Sequence, residues 1–461
     1  MLSKALCSEI LARAMSSGAD FAELYQELTH NNVIQLISGK IEKIGDNVLS
    51  GVGVRAFVGT KTVYAYTCDL SREGLLRCAS GVADTVAQSK NDVSIRLTER
   101  IFPNINPVRR LPGDVDVKER ISVLKEACFA AKDYDSRISQ VAGNLISVDH
   151  NILVANSEGL YSTDRNVRTR LAISAIASDG NENQSGYNGP GRSMGMEMFE
   201  TISPAETGRE ASRQAIVNLE AEYCPAGQMT VAIANGFGGV IFHEACGHSL
   251  EATSVGIGAS QMCGKLGQKI AGDKVTAIDD GTIPGGWGSI NMDDEGHPAQ
   301  KNVLIENGVL KSYMVDRLGS RRMGLPCTGS GRRQGYTFEP TSRMTNTYIA
   351  NGPDKNEDII ASIEYGLYAA NMGGGSVNPV TGAFNFTVSE GYIVRNGKIC
   401  EPVRGASLIG TGSQILMDID MVGQDLELGQ GMCGSSSGSI PTNVGQPLIR
   451  VSNITVGGRN Q

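Results

Sequence analysis

Aromatic residues and histidines are scarce in this sequence. Phe, Trp and Tyr make up 5% of its 461 residues, with a single tryptophan, and only five histidines occur. Glycine, by contrast, occurs 57 times. This balance favours many short strands joined by tight turns. The length makes two or three domains the natural expectation.

Long apolar runs and runs of basic residues are also missing. No stretch approaches the roughly 20 apolar residues that span a bilayer, and residues 1–10 interrupt their hydrophobicity before a signal-type segment forms. The net charge is −8, with Lys and Arg scattered or in pairs. The ten cysteines lack the close-set pairing of a disulfide framework. We therefore expect a cytosolic protein that binds neither nucleic acid nor membranes.

Two of the five histidines lie close together, in His243-Glu244-Ala245-Cys246-Gly247-His248. A zinc hydrolase needs neutral imidazoles as ligands and a carboxylate that takes the proton from metal-bound water. His243, His248 and Glu244 provide these groups. The alternative is a buried helix whose histidines bond to the backbone. The apolar run before the motif, the polar stretch after it and the glycines at 236–239 favour metal.

The two histidines are five residues apart, whereas the common zinc-peptidase motif spaces them by four. On a regular helix, five residues leave the second ring roughly 140° from the first. The spacing therefore predicts that the helix widens or unwinds before His248. Gly247 is the residue best able to permit this.

A third ligand is needed from elsewhere in the chain. Zinc accepts mixed nitrogen and sulfur ligands, and a catalytic ion keeps one position open for water. Cys433, Cys263 and Cys246 are all candidates on the residues alone. Cys246 follows His243 by three residues and could share its helix face, although a packing role is the stronger interpretation.

The motif and several other segments are similar to one known family. The chain resembles, along nearly its whole length, the TldD subunit of the TldD/PmbA (TldD/TldE) zinc metallopeptidases. The segments that carry the resemblance are residues 51–55, 156–159, 242–252, 312–317, 329–333, 432–434 and 444–451.

That resemblance implies Cys433 as the third zinc ligand. The chain departs from the family at residues 435–439, a Ser/Gly run where many members have lysine and glutamine. The resemblance also implies a dimer that encloses the site, formed with a TldE/PmbA-type subunit lacking the motif or with a second copy. Because this chain has the motif, it is expected to be the active subunit.

The periodicities predict an α+β fold. Residues 1–210 are expected to form a mixed helix and antiparallel-sheet domain, and residues 211–461 a β-rich, curled-sheet or barrel-like domain carrying the zinc helix. Two Asn-Gly pairs, at residues 307–308 and 396–397, predict hairpins in the second half. The predicted helices cover residues 2–18, 71–89, 117–132 and 205–223, and the predicted N-terminal strands cover 33–37, 48–58, 61–67, 147–155, 160–163 and 167–178.

Two further features are candidates for a role at the site. The Gly-, Ser- and Asp-rich stretch at residues 252–296 is long for a loop, and we expect it to form a lid over the zinc. Arg332 and Arg333 are candidates for gripping a peptide carboxylate, because a guanidinium group can do so with two hydrogen bonds. The alternative for this pair is a solvated surface.

The sequence thus predicts a zinc peptidase that hydrolyses unfolded or extended peptides, with Glu244 moving the proton. A peptide could add as a strand to the β-rich domain. Two other functions stay open: a non-catalytic peptide-binding or assembly subunit with structural zinc, and a zinc hydrolase of small amides. A fourth protein ligand would indicate structural zinc.

Overall fold

The computed structural model describes residues 1–87, 93–378 and 381–459, which fold as nine α-helices and 24 strands. The helices are α1 (Lys4–Met15), α2 (Arg72–Val86), α3 (Val117–Lys132), α4 (Pro204–Glu220), α5 (Val240–Ala245), α6 (Ala252–Val255), α7 (Arg317–Met323), α8 (Asn356–Ala361) and α9 (Gly412–Asp418). The first twelve strands are β1 (Phe21–Ile37), β2 (Lys40–Val58), β3 (Lys61–Thr67), β4 (Thr98–Glu99), β5 (Ile138–Asn156), β6 (Leu160–Ser178), β7 (Asn183–Asn188), β8 (Gly191–Arg192), β9 (Glu222–Tyr223), β10 (Gly227–Ile233), β11 (Ala277–Asp280) and β12 (Lys301–Glu306). The others are β13 (Val309–Leu310), β14 (Gly331–Arg332), β15 (Thr341–Ser342), β16 (Asn346–Ile349), β17 (Tyr365–Val377), β18 (Ala383–Arg395), β19 (Lys398–Arg404), β20 (Ser407–Thr411), β21 (Ile419–Val422), β22 (Glu427–Ser435), β23 (Gly438–Gln446) and β24 (Ile449–Gly457).

The N-terminal half is one mostly antiparallel sheet with helices on one face. Its strand order is β3-β2-β1-β5-β6-β4, with β7 and β8 also on β6. Helices α1 and α2 pack over Leu24 and Val54, and α3 and α4 over Leu36 and Leu171. The four predicted helices are confirmed in their described parts; residues 88 and 89 of the second lie outside the described residues.

Strand β1 is longer than the sequence predicts, because it begins at Phe21 and not at residue 33. Along it, Ala22 and Leu24 face the helices, whereas Tyr25 packs on the opposite face with Met292 and Tyr336 of the C-terminal half. Both faces of the strand are therefore covered. Because several of its buried residues are polar, the start of this strand lacks the apolar pattern by which a buried strand is predicted.

The C-terminal half contains a closed barrel. Strands β17, β10, β24, β20 and β18 pair in that order, and β18 pairs back to β17. The side chains of Ile241 and Phe242 in α5 belong to the same core as the barrel residues. The α+β fold and the barrel-like C-terminal domain are confirmed. Both Asn-Gly pairs have positive φ at both residues, as tight hairpin turns require.

A six-stranded sheet completes this half, in the order β13-β12-β11-β16-β23-β22. Strand β22 is an edge of that sheet. Strand β11 lies within it, and residues 289–293 after it are buried. The prediction that residues 252–296 form a lid over the zinc is therefore wrong for the part that contains β11 and residues 289–293, which lies in the core.

The predicted domain boundary between residues 210 and 211 falls inside α4. The buried side chains of Ala211 and Ala215 in that helix pack with the N-terminal sheet. The division into two domains stays a prediction. No helix among residues 1–87, 93–378 and 381–459 combines the length and apolar character needed to cross a membrane.

Buried charges join the two halves of the molecule. Arg55 of β2 is fully buried and lies within 3.0 Å of Glu23, its cross-strand neighbour. It also pairs with Glu295 and reaches Glu339 at 3.6 Å, both in the C-terminal half. Burial lowers the pKa of Arg55, but these carboxylates outweigh burial and raise it above its usual range. Arg333 adds a second bond to Glu23, at 3.0 Å.

We expect Arg55→Met to lower the free energy of unfolding by about 3–5 kcal/mol, because it leaves buried carboxylates without their cation. Urea denaturation followed by fluorescence measures the loss. The matched control is Arg77→Met, whose exposed guanidinium pairs with Asp69; it should leave stability unchanged. Equal losses in both variants would show that the buried cluster does not hold the halves together.

Candidate metal centre

The helix that carries the motif breaks between the two histidines. Helix α5 ends at Ala245, and Cys246 has φ −133° and ψ −41°, outside the helical region. A short 3-10 turn over Gly247–Leu250 then carries His248. The two imidazole rings come within 5.0 Å of each other, centroid to centroid. The predicted unwinding is confirmed.

Gly247 contributes by its lack of a side chain and not by an unusual backbone conformation. A Cβ atom at this position would lie 2.3 Å from Sδ of Met344. Every larger residue must therefore displace a fully buried methionine. The irregular backbone falls one residue earlier, at Cys246.

The third group of the site is Cys433, in edge strand β22. Its Sγ lies 3.2 Å from Nε2 of His243 and 3.3 Å from Nε2 of His248. The three ligand atoms all lie within 4.8 Å of one another. Around tetrahedral zinc, with bonds of about 2.0–2.1 Å to nitrogen and about 2.3 Å to sulfur, neighbouring ligand atoms stand about 3.6 Å apart. The three residues therefore fit a zinc ion.

The other two candidate cysteines are not at this site. Cys246 is fully buried in the apolar core, where burial raises the pKa of its thiol to about 12. Cys263 directs its Sγ to the carbonyl of Val255. Neither shares the cluster that His243, His248 and Cys433 form.

The charges at the site suit a thiolate ligand. Burial by itself raises the pKa of the Cys433 thiol, but the His243 imidazole and hydrogen bonds from both histidines lower it to about 4. For His248, burial lowers the pKa, but Glu251 and Cys433 outweigh burial and raise it well above its ordinary range. Cys433 is therefore deprotonated at neutral pH, the state in which cysteine binds metals.

Glu244 projects from α5 beside the three ligand atoms without joining them. Its Oε2 lies 3.8 Å from Nε2 of His248, and its side chain is 23% exposed. A carboxylate placed next to a metal's ligands, and partly open to water, is what a general base for metal-assisted hydrolysis requires.

Comparisons with known proteins agree with this geometry. Sequence profiles described as PmbA/TldA metallopeptidase domain 1, central domain and C-terminal domain match residues 22–86, 110–219 and 226–458. The chain belongs to the PmbA/TldD metallopeptidase family. It is 37% identical to a metalloprotease TldD homolog of Haemophilus influenzae over 96% of this chain and 93% of that protein. It is 32% identical to a metalloprotease of Methanothermobacter thermautotrophicus over 95% of this chain and 96% of that protein.

Solved structures share the fold of the whole chain. A putative modulator of DNA gyrase from Thermotoga maritima aligns with a TM-score of 0.80 and 22% identity, covering 98% of this chain and all of that one. TldE from Thermococcus kodakarensis aligns with a TM-score of 0.75 and 18% identity, covering 98% and 99%. The family and its metalloprotease members show that this chain is a metallopeptidase and imply a bound metal.

Two residues that the sequence reasoning missed support the ligands of this PmbA/TldD member. Glu251 accepts a hydrogen bond from Nδ1 of His248 at 3.2 Å, which fixes the ring with Nε2 toward Cys433. Arg343 is fully buried, with Nε 3.9 Å from Glu251. Glu251 lies within the segment that carries the family resemblance. Nothing in the local pattern around Arg343 marks it.

Arg343 also holds the strand that carries the thiol. Its Nη2 donates to the carbonyl of Cys433 at 2.5 Å, and its Nη1 donates to Ser437 Oγ and the Gly438 carbonyl at 2.9 and 3.0 Å. One guanidinium group therefore holds the strand that carries Cys433 and places its charge 3.9 Å from Glu251, the carboxylate that orients His248.

The two arginines predicted to bind substrate are both buried. Arg332 donates to the carbonyls of Met344 and Pro441, at 2.6 and 2.9 Å. Arg333 bonds to Glu23 and to the carbonyl of Asp294, both at 3.0 Å. They line a cavity of about 450 Å³ and are not a solvated surface pair. Their role in substrate binding stays a prediction.

We expect Arg343→Lys to weaken metal affinity by about 10- to 100-fold, as loss of support for metal ligands commonly does. Lysine keeps the charge but cannot reach Cys433, Ser437 and Glu251 together. Competition with a chromophoric zinc chelator measures the affinity. Arg322→Lys, at an exposed position on α7, is the control. Unchanged affinity in a folded Arg343→Lys protein would contradict the bracing role.

Proposed function

We propose that this chain is the catalytic subunit of a zinc peptidase that cleaves unfolded or extended peptides. The observation that carries the proposal is the free carboxylate of Glu244, 3.8 Å from a ligand atom of the His243–His248–Cys433 cluster. A zinc site with a purely structural role does not need a carboxylate beside its ligands. The cytosolic location stays a prediction.

His243, His248 and Cys433 would hold the zinc. Bound there, zinc supplies Lewis acidity that polarises a carbonyl and lowers the pKa of bound water toward about 7. Two imidazoles with a thiolate favour zinc over the hard, oxygen-seeking cations. Within the described ranges, three side chains form the cluster. A tetrahedral ion held by these three would keep one position for water, as a catalytic zinc site requires.

Glu244 is the residue that moves the proton. Its carboxylate accepts a proton from the attacking water and returns it to the leaving amine, which departs as a neutral product. Its position on α5, next to His243 in sequence, ties its orientation to that of a ligand. Its partial exposure leaves room for the peptide bond to approach.

Edge strand β22 offers main-chain N–H and C=O groups to which an extended peptide could bond. Met432 stands opposite Pro441, which has no N–H to donate, and the hairpin closes at the Ser435–Gly438 pair. Because bonded and non-bonded pairs alternate in an antiparallel ladder, the main chain of Met432 faces the free edge. A peptide added at that edge would pass beside Cys433 and be held without regard to its side chains.

Space for such a peptide lies along this edge. A cavity of about 530 Å³ is lined by Gln430, Gly431 and Met432 on one side and by Tyr187 and Phe237 on the others. A cavity of this size beside a strand edge admits an extended segment and is too small for a folded domain.

A second subunit would complete the enclosure. The likeness in fold between this chain and TldE from Thermococcus kodakarensis supports a partnership of two homologous subunits. The partner in this proposal is a TldE/PmbA-type subunit, with a second copy of this chain as the other arrangement.

We expect Glu244→Gln to retain its metal and to lose cleavage of an unfolded peptide by at least about 100-fold, the usual contribution of a general base. Elemental analysis and peptide mass spectrometry give the two readouts, on the chain alone and co-expressed with a TldE-type partner. Glu357→Gln, exposed on α8, should behave as wild type. Metal retained without any cleavage that depends on Glu244, in either preparation, would favour the structural-zinc, peptide-binding alternative.

A further inference from the structure

Two buried arginines in one cavity lack a carboxylate partner. Arg168 of β6 is 7% exposed and Arg332 of β14 is 4% exposed. Both line the cavity of about 450 Å³ between the N-terminal sheet and the C-terminal half. Ion pairs elsewhere in the core, such as Arg55 with Glu23, are made at 3.0 Å. In the described part of the chain, no carboxylate comes within ion-pair distance of Arg168 or Arg332.

Both guanidinium groups are held in place by neutral carbonyls. Arg168 donates to the carbonyls of Trp287 and Ser289, at 2.9 and 3.1 Å. Arg332 donates to those of Met344 and Pro441, at 2.6 and 2.9 Å. These bonds fix the orientation of each group, whereas the carboxylate of Asp294 acts on both charges from beyond ion-pair distance. A buried cation without an anion in contact binds one strongly when it is supplied.

The carboxylates in the same cavity are engaged elsewhere. Glu27 accepts from the main-chain N–H of Tyr336 and from Thr29. Asp293 accepts from three main-chain N–H groups, and Asp294 from the N–H of Arg333. None of them neutralises Arg168 or Arg332 by direct contact.

The two arginines stay charged at neutral pH. Burial lowers the pKa of each guanidinium group, helped at Arg168 by the nearby charge of Arg332 and opposed at both by Asp294, and the pKa of each is about 10. An anion placed between them would relieve that repulsion as well as supply the missing partner.

The cavity lies beside the metal centre. Pro441, whose carbonyl holds Arg332, stands opposite Met432 in the hairpin, and Met432 lines the cavity one residue before Cys433. Met344, whose carbonyl also holds Arg332, packs on Gly247 between the two histidine ligands. The charge of Cys433 acts on the Arg332 guanidinium group, so a group bound by Arg332 lies near the candidate metal ligands.

We propose that Arg168 and Arg332 form a subsite for a carboxylate of the peptide substrate, either an acidic side chain near the scissile bond or the C-terminal carboxylate. The subsite rests on the proposed peptidase function and gives it a charge preference. It also reassigns the predicted arginine pair: Arg332 keeps its role, Arg168 replaces Arg333, and Arg333 serves the buried bond to Glu23.

The test uses matched peptides. A cleavage site is first mapped in one unfolded peptide, and the peptide is then made with Glu or Gln on either side of that site, and with a C-terminal carboxylate or amide. We expect one carboxylate-bearing member to be cleaved with a kcat/KM at least about tenfold above its neutral partner, as for other charge-assisted contacts. The Glu/Gln and carboxylate/amide pairs identify which carboxylate is bound.

Arg168→Gln and Arg332→Gln provide the variants. We expect each to bring the ratio of kcat/KM between charged and neutral peptides close to one. Arg165→Gln, on the same strand but with an exposed guanidinium group paired to Asp149, should keep the wild-type ratio. Equal cleavage of charged and neutral peptides by wild type, or an unchanged ratio in Arg168→Gln, overturns the subsite.

Binding separates the subsite from the peptidase proposal. Calorimetry on metal-loaded Glu244→Gln protein needs no cleavage, because one unfolded peptide can be made with Glu or Gln at each position in turn, and with a C-terminal carboxylate or amide, without a mapped site. Tighter binding of a charged member, lost in Glu244→Gln/Arg168→Gln, supports the subsite even where no Glu244-dependent cleavage is found. Equal binding of charged and neutral members overturns it, whatever the outcome for cleavage.

Discussion

A single break in a buried helix is the constraint on which the site depends. If α5 continued regularly, His248 would face away from His243, and Cys433 would meet one imidazole only. The break at Cys246 is stabilised locally, because the N–H of Cys246 still bonds to the Phe242 carbonyl and the N–H of Ser249 bonds to that of Cys246. The backbone therefore changes direction without leaving these buried groups unpaired. The absence of a side chain at Gly247 then lets the turn lie against Met344.

The third group of the site, Cys433, comes from an edge strand, and this position has consequences for the proposed function. Strand β22 supplies the thiol from one face of its sheet while its unpaired edge stays open to a cavity. In the proposed function, the metal ligand Cys433 and the main-chain docking surface are therefore parts of one element, which Arg343 holds at the hairpin. A substrate aligned on the strand is aligned with the reacting groups at the same time, which is how positioning lowers a reaction barrier.

Local sequence patterns predicted the parts of the molecule that depend on local physics. The histidine spacing predicted the helix break, the Asn-Gly pairs predicted two hairpins, and the amphipathic periods predicted four helices. Features that depend on contacts between residues far apart in the sequence were not predicted. The first half of strand β1 contains Glu23 and Glu27, whose burial makes sense only beside Arg55, Arg333 and the main chain of the C-terminal half. Arg343 has no local signature because its partners, Glu251 and Cys433, lie far away in sequence.

The most direct test of the account is X-ray absorption spectroscopy at the zinc edge, on protein loaded with one equivalent of zinc. The account predicts one sulfur at about 2.3 Å, two imidazole nitrogens at about 2.0–2.1 Å and one further light atom, an oxygen from water. The sulfur contribution should vanish in Cys433→Ser. A shell with two sulfurs, or one closed by a third imidazole, would contradict the open three-residue site from which the proposed chemistry follows.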